Sequence, residues 1–373
     1  MVKTAKYPVA TKKHLALISP LDWGLGHTTR CIPIISELLA QNVEIVIACN
    51  STQKQVLYPE FPHLEYIPLS GYNLRYGLHR SGTLFRLLLQ VPKILIAIKR
   101  ENLALKSIIL RKNPDLIISD NRYGFYSAKI PSIFITHQLN IQTGFGPTAD
   151  LVIKKITHLM VKKFTQVWVP DSQGVRSLAG KLSQLPKNSF LPVRYIGPVS
   201  RLQPCDIPAV NGHVLVVLSG PEPQRTVLES RLMPQLTALN RPIVLVRGTT
   251  KRSKAITGNP GIRVVDLADT AELNRLICGA TVVICRPGYT SVMDLVKMQK
   301  KAVFIPTPGQ GEQEYLADYL GTAKKAVIAH QDSLDLAEAI SKLKQVSVPT
   351  ANMDLFKEAI YELLETLEPQ ALG

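Results

Sequence analysis

The sequence is 373 residues long, 46% hydrophobic and 19% charged, which excludes a disordered chain, a collagen or a coiled coil as the main architecture and leaves room for two folded domains. The net charge of +16 comes almost wholly from residues 1–200, with 25 Lys and Arg against 10 Asp and Glu, whereas residues 201–373 carry 19 against 18. Such asymmetry points either to an anionic partner for the first half, such as phospholipid head groups, nucleic acid or a phosphorylated acceptor, or to a solvated basic surface.

Five cysteines (Cys31, Cys49, Cys205, Cys278 and Cys285) without a C-x-x-C pair argue against a disulfide scaffold or a zinc ribbon and for a reducing compartment. No stretch reaches the roughly 18 uninterrupted apolar residues of a membrane span. The apolar run after the basic Met1–Lys13 segment ends at Ser19-Pro20, too short for a signal peptide, so the expectation is a cytoplasmic protein.

In chain order, Leu15–Ser19, Val43–Cys49, Leu64–Leu69, Asp115–Ser119, Ser132–Thr136, Gln166–Pro170 and Arg194–Gly197 are short apolar, β-branched runs separated by segments of helical length. That is the pattern of parallel strands buried on both faces. Between the third and fourth runs, Leu84–Ile98 is apolar but broken by Arg86, Pro92 and Lys93. It reads either as a basic amphipathic helix lying on a surface or as a core helix kinked at its proline. Pro198, Pro204 and Pro208 then interrupt any regular pattern and mark a join. The rhythm resumes with His213–Ser219, Arg241–Arg247, Gly261–Leu267, Thr281–Cys285, Lys301–Pro306 and Lys325–His330. Two such sets predict two doubly wound α/β domains, residues 1–200 and 201–353, with a closing helix in 354–373 that packs back on the first.

Open sheets of this kind bind ligands beyond the carboxyl ends of their strands. After the first strand, Asp22-Trp23-Gly24-Leu25-Gly26-His27-Thr28-Thr29-Arg30 leads into an apolar helix. Gly24 and Gly26 let a ligand approach the backbone, and the helix start offers unpaired N–H groups. The loop lacks the third glycine of a dinucleotide fingerprint and the G-K-[ST] of a Walker loop. His27 reads equally as a base or as a helix cap. Asp120 and the pair His137-Gln138 follow later strands, where Asp120 can orient a histidine base; each also fits a plain loop hydrogen bond.

In the second half, Gly220 allows close approach and Arg225 suits forked pairing with phosphate. The segment Arg286-Pro287-Gly288-Tyr289-Thr290-Ser291-Val292-Met293-Asp294 joins a glycine turn to a helix start that can hold a phosphate, and Asp294 can accept bonds from two ribose hydroxyls. Ser291 to Asp294 also fits a capping box. The loop from Pro306 ends in Gln313 and Glu314, an amide and a carboxylate suited to sugar hydroxyls.

At these residues the chain resembles the GT-B glycosyltransferases of family 28, the peptidoglycan lipid-intermediate N-acetylglucosaminyltransferases, and more distantly the UDP-glucuronosyltransferases. D-W-G-L-G-H is similar to that family's N-terminal glycine-rich loop, R-P-G-Y-T-S-V-M-D-L to its donor-site helix and P-T-P-G-Q-G-E-Q-E-Y to its sugar-contacting loop. The resemblance implies two Rossmann-like domains facing a central cleft and an inverting transfer from a UDP-sugar without a metal or cofactor; no D-x-D pair occurs in the chain. It places Asp294 on the ribose, Gly288, Tyr289, Thr290 and Ser291 on the diphosphate with Gly220 and Arg225 nearby, Gln313 and Glu314 on the sugar, and Val265–Leu267 on the base. Gly24, Gly26, His137 and Gln138 fall on the acceptor side, with His27 and Asp120 catalytic. Ser219-Gly220-Pro221 stands where the family has a G-G-S turn, and Gln313-Glu314 where it has paired Gln, which leaves the donor sugar open. With the basic first half, the expected acceptor is membrane-borne or phosphate-bearing and the protein peripheral on the inner membrane face. Two alternatives remain. One is a nucleotide-sugar 2-epimerase of the same fold, for which Glu314 and Asp120 are the candidate acid/base groups. The other is a nucleic-acid-binding protein, disfavoured by 6% aromatic content and no RNA-binding motif.

Overall fold

The computed structural model describes residues 13–72, 90–142, 146–186, 189–204, 212–220, 222–249 and 261–368. Residues 84–89 of the Leu84–Ile98 segment, Cys205 and Pro208 lie outside them. The first half runs β1 (Leu15–Pro20), α1 (Leu25–Ala40), β2 (Glu44–Cys49), α2 (Ser51–Leu57), β3 (Glu65–Pro68), α3 (Val91–Lys112), β4 (Leu116–Asp120), β5 (Ser132–Ile135), α4 (Pro147–Val161), β6 (Gln166–Val169) and β7 (Val193–Tyr195). The second runs β8 (His213–Val217), α5 (Gln224–Ala238), β9 (Ile243–Val246), β10 (Ile262–Val265), α6 (Thr270–Gly279), β11 (Ala280–Cys285), α7 (Tyr289–Lys297), β12 (Ala302–Phe304), α8 (Gly311–Thr322), β13 (Val327–Ile328), α9 (Leu336–Lys342) and α10 (Leu355–Leu367).

All strand pairs are parallel, in the orders β3-β2-β1-β4-β5-β6-β7 and β10-β9-β8-β11-β12-β13. The two sheets thus repeat one topology through six strands. Burial on both faces explains the continuous apolar runs. Ala16 and Ile18 of β1 pack with Ile34, Ile35 and Leu38 of α1, while Leu17 between them packs with Leu105 and Ile108 of α3 on the opposite face. Each such Leu or Ile side chain contributes about 1.5–3 kcal/mol when fully buried.

The final helix belongs to the first half's core, since Phe356, Ala359, Ile360, Leu363 and Leu364 of α10 join the cluster built on β1 and α1. The chain passes very close on its way there. A Cβ at Gly197, whose φ is +69°, would lie 2.3 Å from the Asn352 carbonyl oxygen.

Two expectations need correction. Pro92 occupies the first turn of α3, where a missing N–H costs nothing, so it starts the helix and does not kink its interior. Cys278 is disulfide-bonded, which composition did not anticipate, while Cys31, Cys49 and Cys285 are free and buried. Among the described residues, no helix is long and apolar enough to cross a membrane.

Candidate active site

Strand order reverses between β1 and β4 in one sheet and between β8 and β11 in the other, and the crevice beyond each reversal is where such folds take ligands. The β1–β4 register pairs Pro20 with Asp120, which brings the Asp120 carboxylate to the mouth of the first crevice. Gly24, at φ 83°, is the N-cap of α1, so His27 and Arg30 stand one turn apart just inside the helix. The helix-cap reading of His27 therefore falls away. Instead His27 Nδ1 lies 2.7 Å from Asp120 Oδ1, and Arg30 grips the same carboxylate, with Nε 2.5 Å from Oδ2 and Nη2 on Oδ1.

These contacts set the charges. Burial alone would raise the Asp120 carboxyl, but Arg30 and then His27 outweigh it and hold it at about 2. An ionised carboxylate only accepts and favours the proton on Nδ1 of His27, whereas Arg30 Nη2, 2.8 Å from the same nitrogen, only donates and favours it on Nε2. Burial, and after it the Arg30 charge, lowers the imidazole pKa below its ordinary value. Both effects favour a neutral imidazole, with its tautomer set by the balance between Asp120 and Arg30. Its side chain is 15% exposed while that of Asp120 is fully buried, so the imidazole is the member a reactant can reach.

The second half closes directly onto this cluster. His137 Nε2 lies 2.9 Å from Glu312 Oε1 of α8, Gln138 donates its amide to the other Glu312 oxygen, and His137 Nδ1 lies 3.3 Å from Arg30 Nη1. Burial would raise the Glu312 carboxyl, yet His137 and, after it, His27 and Arg30 bring it below its usual range. His137 also stacks on Tyr289, with ring centroids 4.2 Å apart and planes at 13°, and the Tyr289 hydroxyl donates to the Pro170 carbonyl. Thr290 Oγ1 donates to the Gly26 carbonyl at 3.1 Å, and a Cβ at Gly26 would sit 2.9 Å from that oxygen. The starts of α1 and α7 therefore meet. Neither has a side-chain cap or an acidic residue in its first turn, so their N–H groups and dipoles favour an anion.

The remaining expected site residues are distributed around this seam. Gly220, at φ +97°, and Gly288 have open space where a Cβ would be. Arg225 donates to the Arg247 carbonyl at 3.3 Å and pairs with Glu222. Gln313 Oε1 accepts from the Thr307 N–H at 2.8 Å and Glu314 Oε1 from the Gly309 N–H at 2.9 Å, so both brace their own loop. Val265–Leu267, half-buried, ends β10. The capping box expected at Ser291 is absent, because α7 begins at Tyr289 after Gly288, which puts Ser291 within the first turn and Asp294 beyond it. Asp294 turns toward the join instead. It accepts from Ser200 Oγ at 2.5 Å, and burial raises its carboxyl to about 6 against the pull of that hydroxyl and Arg201.

Sequence reasoning gave no role to Arg30 or Glu312. For Arg30 the available signal was its spacing of three from His27 on a helix; for Glu312 nothing local distinguishes it from Glu314.

Residues 243–367 match the model of the glycosyltransferase family 28 C-terminal domain. The UDP-N-acetylglucosamine–N-acetylmuramyl-(pentapeptide) pyrophosphoryl-undecaprenol N-acetylglucosamine transferase of Mannheimia succiniciproducens is 25% identical over 354 residues, covering 87% of this chain and 92% of that protein. The chain is a glycosyltransferase whose C-terminal half is similar to family 28. Its GT-B fold is shared with the solved glycosyltransferase of kitacinnamycin, at TM-score 0.61 and 14% identity over 95% of this chain and 94% of that one. MurG of Acinetobacter baumannii superposes at TM-score 0.54 with 14% identity, covering 95% of this chain and 100% of that one. In this glycosyltransferase the matched family segment spans β9 to α10, which includes the α7 start and the Gln313-Glu314 loop but excludes His27, Arg30 and Asp120.

Proposed function

We propose that this glycosyltransferase moves a sugar from a UDP-sugar to an acceptor hydroxyl with inversion at the anomeric carbon, and that the acceptor lies at an anionic lipid surface. The observation that carries the proposal is the 2.7 Å contact of His27 with Asp120 opposite the uncapped start of α7. His27 Nε2 takes the acceptor proton as its oxygen bonds to C1, and Asp120 steadies the imidazolium that forms. The C1–O bond to UDP breaks on the opposite face. The charge growing on the diphosphate is met by the α7 N–H groups from Gly288 to Ser291 and by Arg225, beside Gly220. Asp294 takes the ribose hydroxyls in exchange for Ser200, and Gln313 and Glu314 take the sugar. Gly24, Gly26, His137 and Gln138 line the acceptor side. The scheme calls for no metal ion or cofactor. The Mannheimia relative is named for a UDP-N-acetylglucosamine donor, which supports the uridine part of the proposal.

The lipid surface is supported by two helices of the basic half. On α3, Leu95, Ile96, Leu103 and Leu110 are exposed among Lys93, Lys99, Arg100, Lys106 and Arg111. On α4, Leu151, Val152, Ile156 and Leu159 are exposed near Lys154, Lys155, Lys162 and Lys163. Exposed apolar side chains flanked by lysines fit a headgroup interface, where each basic residue contributes about 1 kcal/mol.

The test is a thermal-shift series with UDP, dTDP, GDP and their sugars. A ligand at 100 times its Kd adds about 2.7 kcal/mol. Stabilisation by UDP supports the donor; stabilisation by dTDP alone replaces uridine with thymidine; no shift at millimolar nucleotide overturns the donor site. Cosedimentation with phosphatidylglycerol vesicles that weakens with salt supports docking, and equal recovery with neutral vesicles refutes it.

A further inference from the structure

We propose that Glu312 is a positioning residue for the base: docked on His137, it holds Arg30 so that His27 presents an unprotonated Nε2 only when the two halves are together. The inference rests on His27 acting as the base, as proposed above.

His27 Nδ1 has two competing neighbours. Asp120 Oδ1 lies 2.7 Å away and accepts, which requires the proton on Nδ1 and leaves Nε2 free. Arg30 Nη2 lies 2.8 Å away and only donates, which requires a bare Nδ1 and moves the imidazole proton to Nε2. The first state is a base toward the cleft; the second is not. What decides between them is where the Arg30 guanidinium spends its hydrogens.

The other end of that guanidinium is held from the second half. Glu312, accepting from His137 Nε2–H at 2.9 Å, fixes the tautomer in which His137 Nδ1 is an acceptor, and that nitrogen lies 3.3 Å from Arg30 Nη1. With Nη1 on His137, Nε and Nη2 both lie on the Asp120 carboxylate, and His27 donates to it as well. Without Glu312, His137 has no reason to keep Nδ1 bare, Nη1 loses that acceptor, and the Nη2–H that already reaches His27 Nδ1 competes more strongly with Asp120 for the ring. Four elements or loops meet here. Arg30 and Cys31 come from α1, Asp120 from β4, His137 and Gln138 from the turn after β5, and Glu312 from α8. The Cys31 thiol is pushed up by burial and by Asp120, so it stays neutral and leaves the balance to the other groups.

The test uses the full chain without substrate. Long-range ¹⁵N–¹H spectra of the histidine rings report the tautomer of His27 directly. The expected result is Nδ1–H at His27 and Nε2–H at His137 in the wild type, with Glu312→Gln moving His27 toward Nε2–H and Glu312→Asp restoring part of the wild-type pattern. With an acceptor in hand, Glu312→Gln should lower kcat about 10-fold while the donor KM stays within about 2-fold. His137→Gln should give the same change, and Glu312→Gln added to it nothing more. Unchanged His27 nitrogens in Glu312→Gln, or fully additive effects in the double variant, would overturn the proposal. Failure of the donor reading is separate, since it appears as missing nucleotide stabilisation in the wild type while the tautomer measurement still stands.

Discussion

The two halves repeat one strand order, yet their corresponding crevices are furnished in opposite ways. At the β1–β4 reversal the first half gathers charge: Arg30, Asp120 and two histidines joined by hydrogen bonds. At the β8–β11 reversal the second half offers glycines with empty space around them and a helix start free of capping side chains. The first arrangement suits proton transfer and the second suits an anion, and on the proposed mechanism the chemistry falls on one wall and the leaving group on the other. Topology is shared and the loops carry the difference.

The largest expected effect breaks the comparison at His27. Replacing it with Ala should lower kcat by about 10²–10⁴-fold, the usual contribution of a placed base, while calorimetric affinity for the donor nucleotide stays unchanged. Equal losses of turnover and nucleotide affinity would mean that the first crevice also binds the donor. The acidic limb of the wild-type kcat profile should fall below the ordinary histidine value, because burial and Arg30 lower the His27 pKa.

The buried aspartates of the two halves give the next contrast, with opposite signs. The folded-state pKa of Asp120 lies below its ordinary value, so its contribution to stability is present above the unfolded pKa and is lost as pH falls toward about 2. The folded-state pKa of Asp294 lies above its ordinary value, so its contribution is present below the unfolded pKa and is lost as pH rises through about 6. Asp120→Ala should therefore cost about 3–5 kcal/mol in denaturant unfolding at neutral pH, since it strands the buried Arg30 guanidinium. Asp294→Asn should instead raise stability at pH 8 by about 1–3 kcal/mol and weaken donor binding. Destabilisation by both would erase the distinction.

Much of this was legible in the chain, for physical reasons that differ by element. Strands such as Leu15–Pro20 and Leu116–Asp120 are buried on both faces, so their apolar runs are continuous and stand out from the helices between them. The glycine-rich loops were legible because Gly24 and Gly220 adopt positive φ that other residues resist. His27 and Asp120, 93 positions apart, were only suspected as partners, because the contact depends on β1 and β4 being neighbours in register. Arg30 was invisible as a site residue because a single charge at a helix start normally points to solvent, and here it is 2% exposed. The Ser291-to-Asp294 spacing misled because a capping box needs its serine at the N-cap, and Gly288 had already begun the helix.

The smallest effect tests the seam itself. Gly26 lies inside α1 without a positive φ, so alanine there gains helix propensity of about 1 kcal/mol. The new Cβ, however, meets Thr290 Oγ1 at 2.9 Å, and overpacking of that kind costs about 1–3 kcal/mol. Gly26→Ala alone should be neutral to mildly destabilising in thermal unfolding. In the Gly26→Ala, Thr290→Ala pair the nearest side-chain atom is the residue 290 Cβ at 3.4 Å, an ordinary contact, so the helix gain should survive and the pair should unfold at a higher temperature than Gly26→Ala. If the halves truly rest on each other at this point, turnover should move the other way, because the pair has lost the Thr290 hydrogen bond to the Gly26 carbonyl that joins the two helix starts. A pair that recovers both stability and full activity would show that the glycine is needed for close packing and the threonine bond for nothing more.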